Sequence, residues 1–327
     1  MVFLNLLILA VGFAALIKGA DIFVDGSAAL ARVFRVPAMI IGLTVVAMGT
    51  SAPELAVSTL AAVEGSNEIA FSNVAGSNIF NLLMVLGLCA AIRPVPVNRA
   101  ILKEDFPVAF VPTAAVFFLV GGLKLFSGEL FRTGMNAEVG LVSRPIALGL
   151  LAVFAAYMYT LIRRAKKNRT EEEESGGPGY SARKCVGLIL GGLALIVGGG
   201  QAVVYSAREI ARALGMTETL IALTVVSVGT SLPELVTSLT AARKNETELA
   251  VGNVIGSNVF NLMMILGVSA AIHPVTVNAA SVWDLLILLF ITAMTWIFAA
   301  RGRRISRAEG AAMVAVYAAV VAFAVIR

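Results

Sequence analysis

The chain has 327 residues, 59% of them hydrophobic and only 14% charged, with a net charge of +5, two cysteines and one histidine; its mean hydropathy is +0.91. Soluble domains sit near about 45–50% apolar and about 25% charged, so this composition excludes a water-soluble globule, a disordered chain and a nucleic-acid binder. A lone His273 leaves little material for zinc, haem or histidine-based acid–base chemistry, and Cys89 and Cys185, far apart in apolar stretches, read as small buried thiols.

A spanning helix needs about 20 largely apolar residues. Ten such segments follow in chain order, near 2–20, 37–62, 69–92, 106–122, 145–162, 185–205, 217–242, 249–272, 282–300 and 309–326. The first has no basic leader and no small-residue cleavage site, and it runs directly into Lys18, Asp21 and Asp25. It reads as a transmembrane helix rather than a signal peptide. With the N-terminus outside, the loops after spans 1, 3, 5, 7 and 9 hold 18 of the Lys and Arg residues and the opposite side holds 6. That bias predicts an inner (plasma) membrane protein with both termini extracellular or periplasmic. The polar stretch at 164–184 carries Glu171 to Glu174 and then Ser175-Gly176-Gly177-Pro178-Gly179. It reads as a flexible cytoplasmic linker, and its glutamates as a solvated charge run rather than a calcium loop, since no spaced oxygen ligands accompany them.

Sliding the sequence by 180 residues aligns it with itself without gaps. Ile41–Ala62 matches Ile221–Ala242 at 14 of 22 positions, and Ala70–Asn98 matches Ala250–Asn278 at 19 of 29. Each half holds five spans, an odd number, so the second copy enters the membrane upside-down. The predicted fold is therefore an all-α polytopic membrane protein of ten transmembrane helices, built as two inverted five-helix repeats at 1–163 and 185–327. Inverted repeats are a transporter architecture, with the substrate near the midplane.

The matched segments carry polar residues where lipid-facing helices avoid them. Gly49-Thr50-Ser51-Ala52-Pro53-Glu54 and Gly229-Thr230-Ser231-Leu232-Pro233-Glu234 each interrupt a long apolar span. Proline has no N–H for the carbonyl four residues back, so oxygens in that turn, including those of Ala47 and Thr50, are expected to be free. A broken helix at membrane depth survives where it lines a cavity or binds something, and an intramembrane glutamate marks function by default. The second pair is Asn73-Val74-Ala75-Gly76-Ser77-Asn78-Ile79-Phe80-Asn81 and Asn253-Val254-Ile255-Gly256-Ser257-Asn258-Val259-Phe260-Asn261. Here Asn73, Asn78, Asn253 and Asn258 suit helix-to-helix hydrogen bonding, while Ser77, Asn81, Ser257 and Asn261 suit ligation.

Carboxylate, hydroxyl, amide and carbonyl oxygens, with no thiolate or imidazole, form a set for hard cations. Protease, hydrolase and phosphate-binding motifs are missing. The chain therefore reads as a transporter driven by an ion gradient, not an enzyme, with no cofactor, no obligatory protein partner, and lipid as its surroundings.

At these residues the sequence resembles the calcium/cation antiporter superfamily, most closely its prokaryotic sodium/calcium exchangers. The family's two alpha-repeats look like Gly42–Gly87 and Ala222–Gly267. The resemblance implies ten helices and alternating access by sliding of the first and sixth helices past a rigid core. It also implies a shared midplane pocket where Na+ and Ca2+ compete. Its implied ligands are Ala47 (backbone oxygen), Thr50, Ser51, Glu54, Ser77 and Asn81, with Ser227, Thr230, Ser231, Glu234, Ser257 and Asn261 as their mates. Several members carry an acid where Asn261 stands, which bears on any role for K+. Proton/calcium exchangers of the superfamily are the alternative; they pair the glutamate with histidine, whereas Leu55 and Leu235 follow it here. A cation channel is the more distant one.

Overall fold

The computed structural model describes residues 2–65, 67–167, 180–214 and 227–326. Nearly all of it is helix: α1 (Val2–Phe34), α2 (Ala38–Thr50), α3 (Ala52–Val63), α4 (Ile69–Ile92), α5 (Ile101–Phe126), α6 (Arg144–Lys167), α7 (Ala182–Ala213), α8 (Ser227–Thr230), α9 (Leu232–Arg243), α10 (Thr247–Ile272), α11 (Ala279–Gly302) and α12 (Arg307–Ile326). Eight of the described helices are long and apolar enough to cross a membrane, and α2 with α3, bent by 48°, makes a ninth span. The expected span 217–242 begins at residues outside those described, as does most of the expected 164–184 linker; of the latter, α6 takes up the start and α7 the end. The protein is an all-helical, multi-span membrane protein.

The first and sixth spans are longer than hydropathy suggests. Instead of 2–20 and 185–205, the helices run for 33 and 32 residues, about 50 Å at 1.5 Å per residue, against a hydrocarbon layer of about 30 Å. In α1 the polar turn at Lys18–Asp25 does not end the helix, because its carboxylates find a partner. The Lys244 ammonium donates to Asp25 Oδ1 at 2.9 Å and to the Asp21 carbonyl at 3.1 Å, and lies 3.3 Å from Asp21 Oδ1. Partial burial acts to lower the Lys244 pKa, but the hydrogen bonds and charges of Asp25 and then Asp21 outweigh it, and the net shift is upward. A lysine held above its ordinary value keeps the pair at neutral pH and loses it only as alkali strips the ammonium. The start of α7 is capped by the Ser181 hydroxyl, which accepts from the Lys184 N–H at 3.3 Å.

The chain divides into two compact units, Met1–Pro53 with Leu161–Gly256, and Glu54–Thr160 with Ser257–Arg327. In the first, α1 and α7 pack antiparallel along glycines spaced by seven. A Cβ on Gly12 would meet Gly199 O at 3.0 Å, and one on Gly192 would meet Phe23 N at 2.7 Å and Gly19 O at 2.8 Å. Under the offset of 180, Gly12 becomes Gly192 and Gly19 becomes Gly199, so the contacts Gly12–Gly199 and Gly19–Gly192 are one contact turned about a two-fold axis. In membranes, small residues at such crossings let backbones touch and gain dispersion contact. The same device joins α2 to α10, where a Cβ on Gly42 would lie 2.6 Å from Leu249 O.

The second unit has its own two-fold signature. Asn78 Nδ2 donates to Asn258 O, and Asn258 Nδ2 donates to Asn78 O, both at 3.2 Å. These asparagines do the helix-bonding work expected of them. Two short antiparallel ladders close this unit outside the helices: β1 (Val95–Pro96) with β4 (Arg304–Ile305), and β2 (Glu138–Val142) with β3 (Val275–Asn278). The buried Asp105 carboxylate accepts from the Tyr157 hydroxyl at 3.0 Å.

Candidate cation site

Both predicted helix breaks exist, and each sits at the serine. Ser51 leaves helical geometry at φ −83°, ψ 10°, and Ser231 does so at φ −92°, ψ 7°. The chain then restarts as α3 or α9, with Pro53 or Pro233 in the opening turn, where a missing N–H costs nothing. This arrangement sets two kinds of electrostatics side by side. The short helices Ala47–Thr50 and Ser227–Thr230 end on carbonyl oxygens, the negative end of the helix dipole, while Glu54 and Glu234 occupy first turns, where the dipole favours a carboxylate.

One expectation fails at the break. The Ala47 carbonyl is not free: it accepts the Ser51 N–H at 3.0 Å, the ordinary bond across four residues, since the N–H that Pro53 lacks would have served Gly49 instead. A carbonyl has two lone pairs, and the Thr50 hydroxyl also lies 3.4 Å from this oxygen.

Ala47, Thr50, Ser51, Glu54, Ser77, Asn81, Ser231, Glu234, Ser257 and Asn261 are all buried, none more than 4% exposed. Thr230 is half-buried, and the side chain of Ser227 lies outside what is described. In the first unit the structure joins several of these residues directly. Ser51 Oγ donates to Glu234 Oε1 at 2.7 Å, and Thr50 Oγ1 lies 3.1 Å from Val46 O, 3.4 Å from Ala47 O and 3.1 Å from Asn253 Oδ1. In the second unit Asn73 Nδ2 donates to Ser58 Oγ at 2.9 Å and reaches the Glu54 carbonyl at 3.4 Å, tying α4 to α3.

Asn81 and Asn261 lie in π-helical turns, Asn81–Val85 and Phe260–Ile265. Such wide turns concentrate at functional sites, and nothing in the hydrophobic pattern announces them. Among the described residues, Glu234 Oε2, Asn81 Oδ1, Asn261 Oδ1, Ser257 Oγ and Thr230 Oγ1 are buried without a hydrogen-bond partner. Each such atom costs about 1–3 kcal/mol if left unmet. Glu234 Oε2 and Thr230 Oγ1 belong to the first unit and the other three to the second; all stand at positions expected to be ligands. No group of three or more His, Cys, Asp or Glu able to hold a metal occurs among the described residues, so the donor set is oxygen with few charges. His273, at the turn after α10, is exposed, with its Nδ1 3.2 Å from Pro274 O.

The sequence analysis gave Asn253 a packing role alone; the structure adds its contact with Thr50. The signal available in the sequence was its position eight residues before Asn261, on the same helix.

Comparison with known proteins agrees with this geometry. The chain matches the family described as "Sodium/calcium exchanger protein" over residues 4–163 and 184–326, one match in each half. It is similar to CaxA of Alkalimonas amylolytica, 39% identical over 308 residues that make up 92% of each chain. It is also similar to the sodium/calcium exchanger MaX1 of Methanosarcina acetivorans, 32% identical over 351 residues and 98% of each chain. Among solved structures, the sodium-calcium exchanger NCX_Mj soaked with 2.5 mM Na+ and 0.1 mM Ca2+ superposes with a TM-score of 0.83 at 30% identity, covering 100% of both chains.

Proposed function

The chain belongs to the sodium/calcium exchanger family, and on that premise we propose that it is a secondary antiporter exchanging Na+ for Ca2+ by alternating access. The observation that carries this reading is the pair of buried glutamates, each in the first turn of a helix restarted beyond a mid-span break, together with the unmet oxygens of Ser257, Asn81 and Asn261.

The chemistry follows from the donors. Ca2+ takes 6–8 oxygen ligands in flexible geometry and tolerates a mixture of carboxylate, carbonyl, amide and hydroxyl. In this reading Glu54 and Glu234 balance its two charges. Thr50, Ser51, Ser77, Asn81, Thr230, Ser231, Ser257 and Asn261, with the backbone oxygen of Ala47, supply neutral oxygens, and Ser227 stands opposite Ala47 in the repeat. Na+ prefers the same donors, so the two ions compete for one pair of carboxylates. Competition for charge is what couples their movement: a site that has released Ca2+ refills with Na+ before it turns over. Exposed His273 and the leucines after both glutamates leave proton coupling without a relay of the usual kind. The excess of Lys and Arg in the odd-numbered loops supports termini outside a bacterial-type inner membrane.

Purified protein in proteoliposomes tests this. Vesicles loaded with Na+ should take up Ca2+ when diluted into Na+-free medium, and vesicles loaded with Li+ or K+ should not. Uptake driven by a pH gradient in Na+-free medium would replace the reading with proton/calcium exchange. Flux indifferent to every counter-ion gradient would replace it with a channel.

A further inference from the structure

We propose that Asn253, held by Ser238, is a positioning residue that keeps the Thr50 hydroxyl turned as a pure acceptor toward the transported cation; this rests on the cation-exchange reading above. Asn253 is fully buried on α10, close to where that helix crosses α2 at Gly42 and Gly252. Its Nδ2 donates to Ser238 Oγ at 2.9 Å, and in this orientation its oxygen faces Thr50, 3.1 Å from the hydroxyl. The groups around the Thr50 hydroxyl are then acceptors: Asn253 Oδ1, Val46 O and Ala47 O, together with the Glu234 carboxylate to which it also bonds.

A hydroxyl has one proton and two lone pairs. Surrounded by acceptors, Thr50 gives its proton to the protein and keeps both lone pairs for a cation. If the amide turned over, Nδ2 would face Thr50, take one lone pair, and direct the positive end of its dipole at the site. Ser238, one helical turn beyond Glu234, holds the amide against that flip. The asparagine–serine bond recurs: under the offset of 180, Asn73 and Ser58 are the mates of Asn253 and Ser238, and their bond is also 2.9 Å, whereas Thr230, the mate of Thr50, has no hydrogen-bond partner for its hydroxyl among the described residues. A bond repeated at the same length in both halves belongs to the architecture of the site rather than to incidental packing.

Substitutions at the brace separate positioning from packing. Ser238→Ala removes the acceptor with a minimal change of volume, and Asn253→Asp presents oxygen to Thr50 whichever way it is turned. In the native background Ser238→Ala should raise the KM for Ca2+ about ten-fold, the worth of one ordinary hydrogen bond, with turnover little changed. In the Asn253→Asp background at alkaline pH, the same change should leave KM where it was. Ser238→Thr, which keeps the hydroxyl, should restore the native KM. An equal KM shift in both backgrounds, or no shift in the native one, overturns the proposal. Should Asn253→Asp not fold, equal KM values for Ser238→Ala and Ser238→Thr overturn it instead. Thermal stabilisation of the detergent-solubilised protein by Na+ or Ca2+ reads the same variants without transport. If native protein is stabilised by these ions yet exchanges none, the exchange reading fails while the brace remains on trial.

Discussion

Glu234→Gln isolates charge from shape. The glutamate is fully buried and its Oε1 accepts the Ser51 hydroxyl at 2.7 Å; a glutamine carries a carbonyl oxygen in the same place, so that bond survives and the fold is expected to hold. What disappears is one of two formal charges available to a dication. Two unit charges 4 Å apart at an effective dielectric of about 20 interact by about 4 kcal/mol, and a dication doubles that. Some of the loss is returned because the empty site no longer holds a buried charge. A net deficit of about 4 kcal/mol still lowers Ca2+ affinity by roughly 10³. Ca2+ uptake into Na+-loaded proteoliposomes should fall to background, and the stabilisation of Tm by Ca2+ should vanish, while the Tm without ions stays near that of the native protein. Glu54→Gln should behave alike. Near-native uptake by a folded Glu234→Gln protein would refute the assignment of this carboxylate to the cation.

Three further outcomes are expected. With K+ omitted from both sides of the membrane, Na+-driven Ca2+ flux should persist, because Asn81 and Asn261 are neutral and two carboxylates leave no charge to balance an additional K+; flux that returned only on adding K+ would expose a missing ligand. Gly192→Val should destabilise the protein by about 1–3 kcal/mol or more, seen as a lower Tm in detergent, since its Cβ would lie 2.7 Å from Phe23 N. Gly191→Val should be tolerated, because nothing lies within 4 Å of a Cβ there. Lys244→Met should lower stability by no more than about 1 kcal/mol, as its ion pairs with Asp21 and Asp25 are partly exposed, and the difference in Tm between native protein and variant should shrink in high salt.

The readability of this chain divides along a physical line. The repeats, the two breaks and the buried carboxylates were legible because each depends on local chemistry: a proline without an N–H, a serine before it, a charge inside an apolar run. What escaped depends on partners distant in sequence. The length of α1 could not be read from its own residues, since Asp21 and Asp25 are accommodated by Lys244, more than 200 positions away. Asn253 looked like packing because its contact with Thr50 spans 203 residues. The π-helical turns at Asn81 and Phe260 add a residue to a helical turn without altering its apolar character, so hydropathy passes over them. The Ala47 carbonyl was misjudged for a different reason: Pro53 withholds an N–H only from Gly49, four residues back, whereas Ala47 keeps its ordinary partner in the Ser51 N–H.

Breaking a helix inside a membrane exposes backbone groups of both signs, and the two glutamates show how one residue can answer part of that cost while creating a site. A helix end leaves its last carbonyls, and a helix start its first N–H groups, without intrahelical partners; here the Ser51 N–H takes up the Ala47 carbonyl and the Ser231 N–H that of Val228. A carboxylate in the downstream first turn complements the N–H end of the dipole, worth about 0.3–1 kcal/mol at exposed sites and more when buried. At Glu234 the remaining carboxylate oxygen, Oε2, is buried without a hydrogen-bond partner among the described residues, a need that nothing apolar can meet. A mobile cation fills that need, and because it is not covalently part of the helix it can leave. Stability of the break and occupancy of the site are thereby linked: ions that bind should raise Tm as well as move. The inverted duplication presents the same break once in each orientation. The two copies are not identical at the break, where Ala47 stands opposite Ser227.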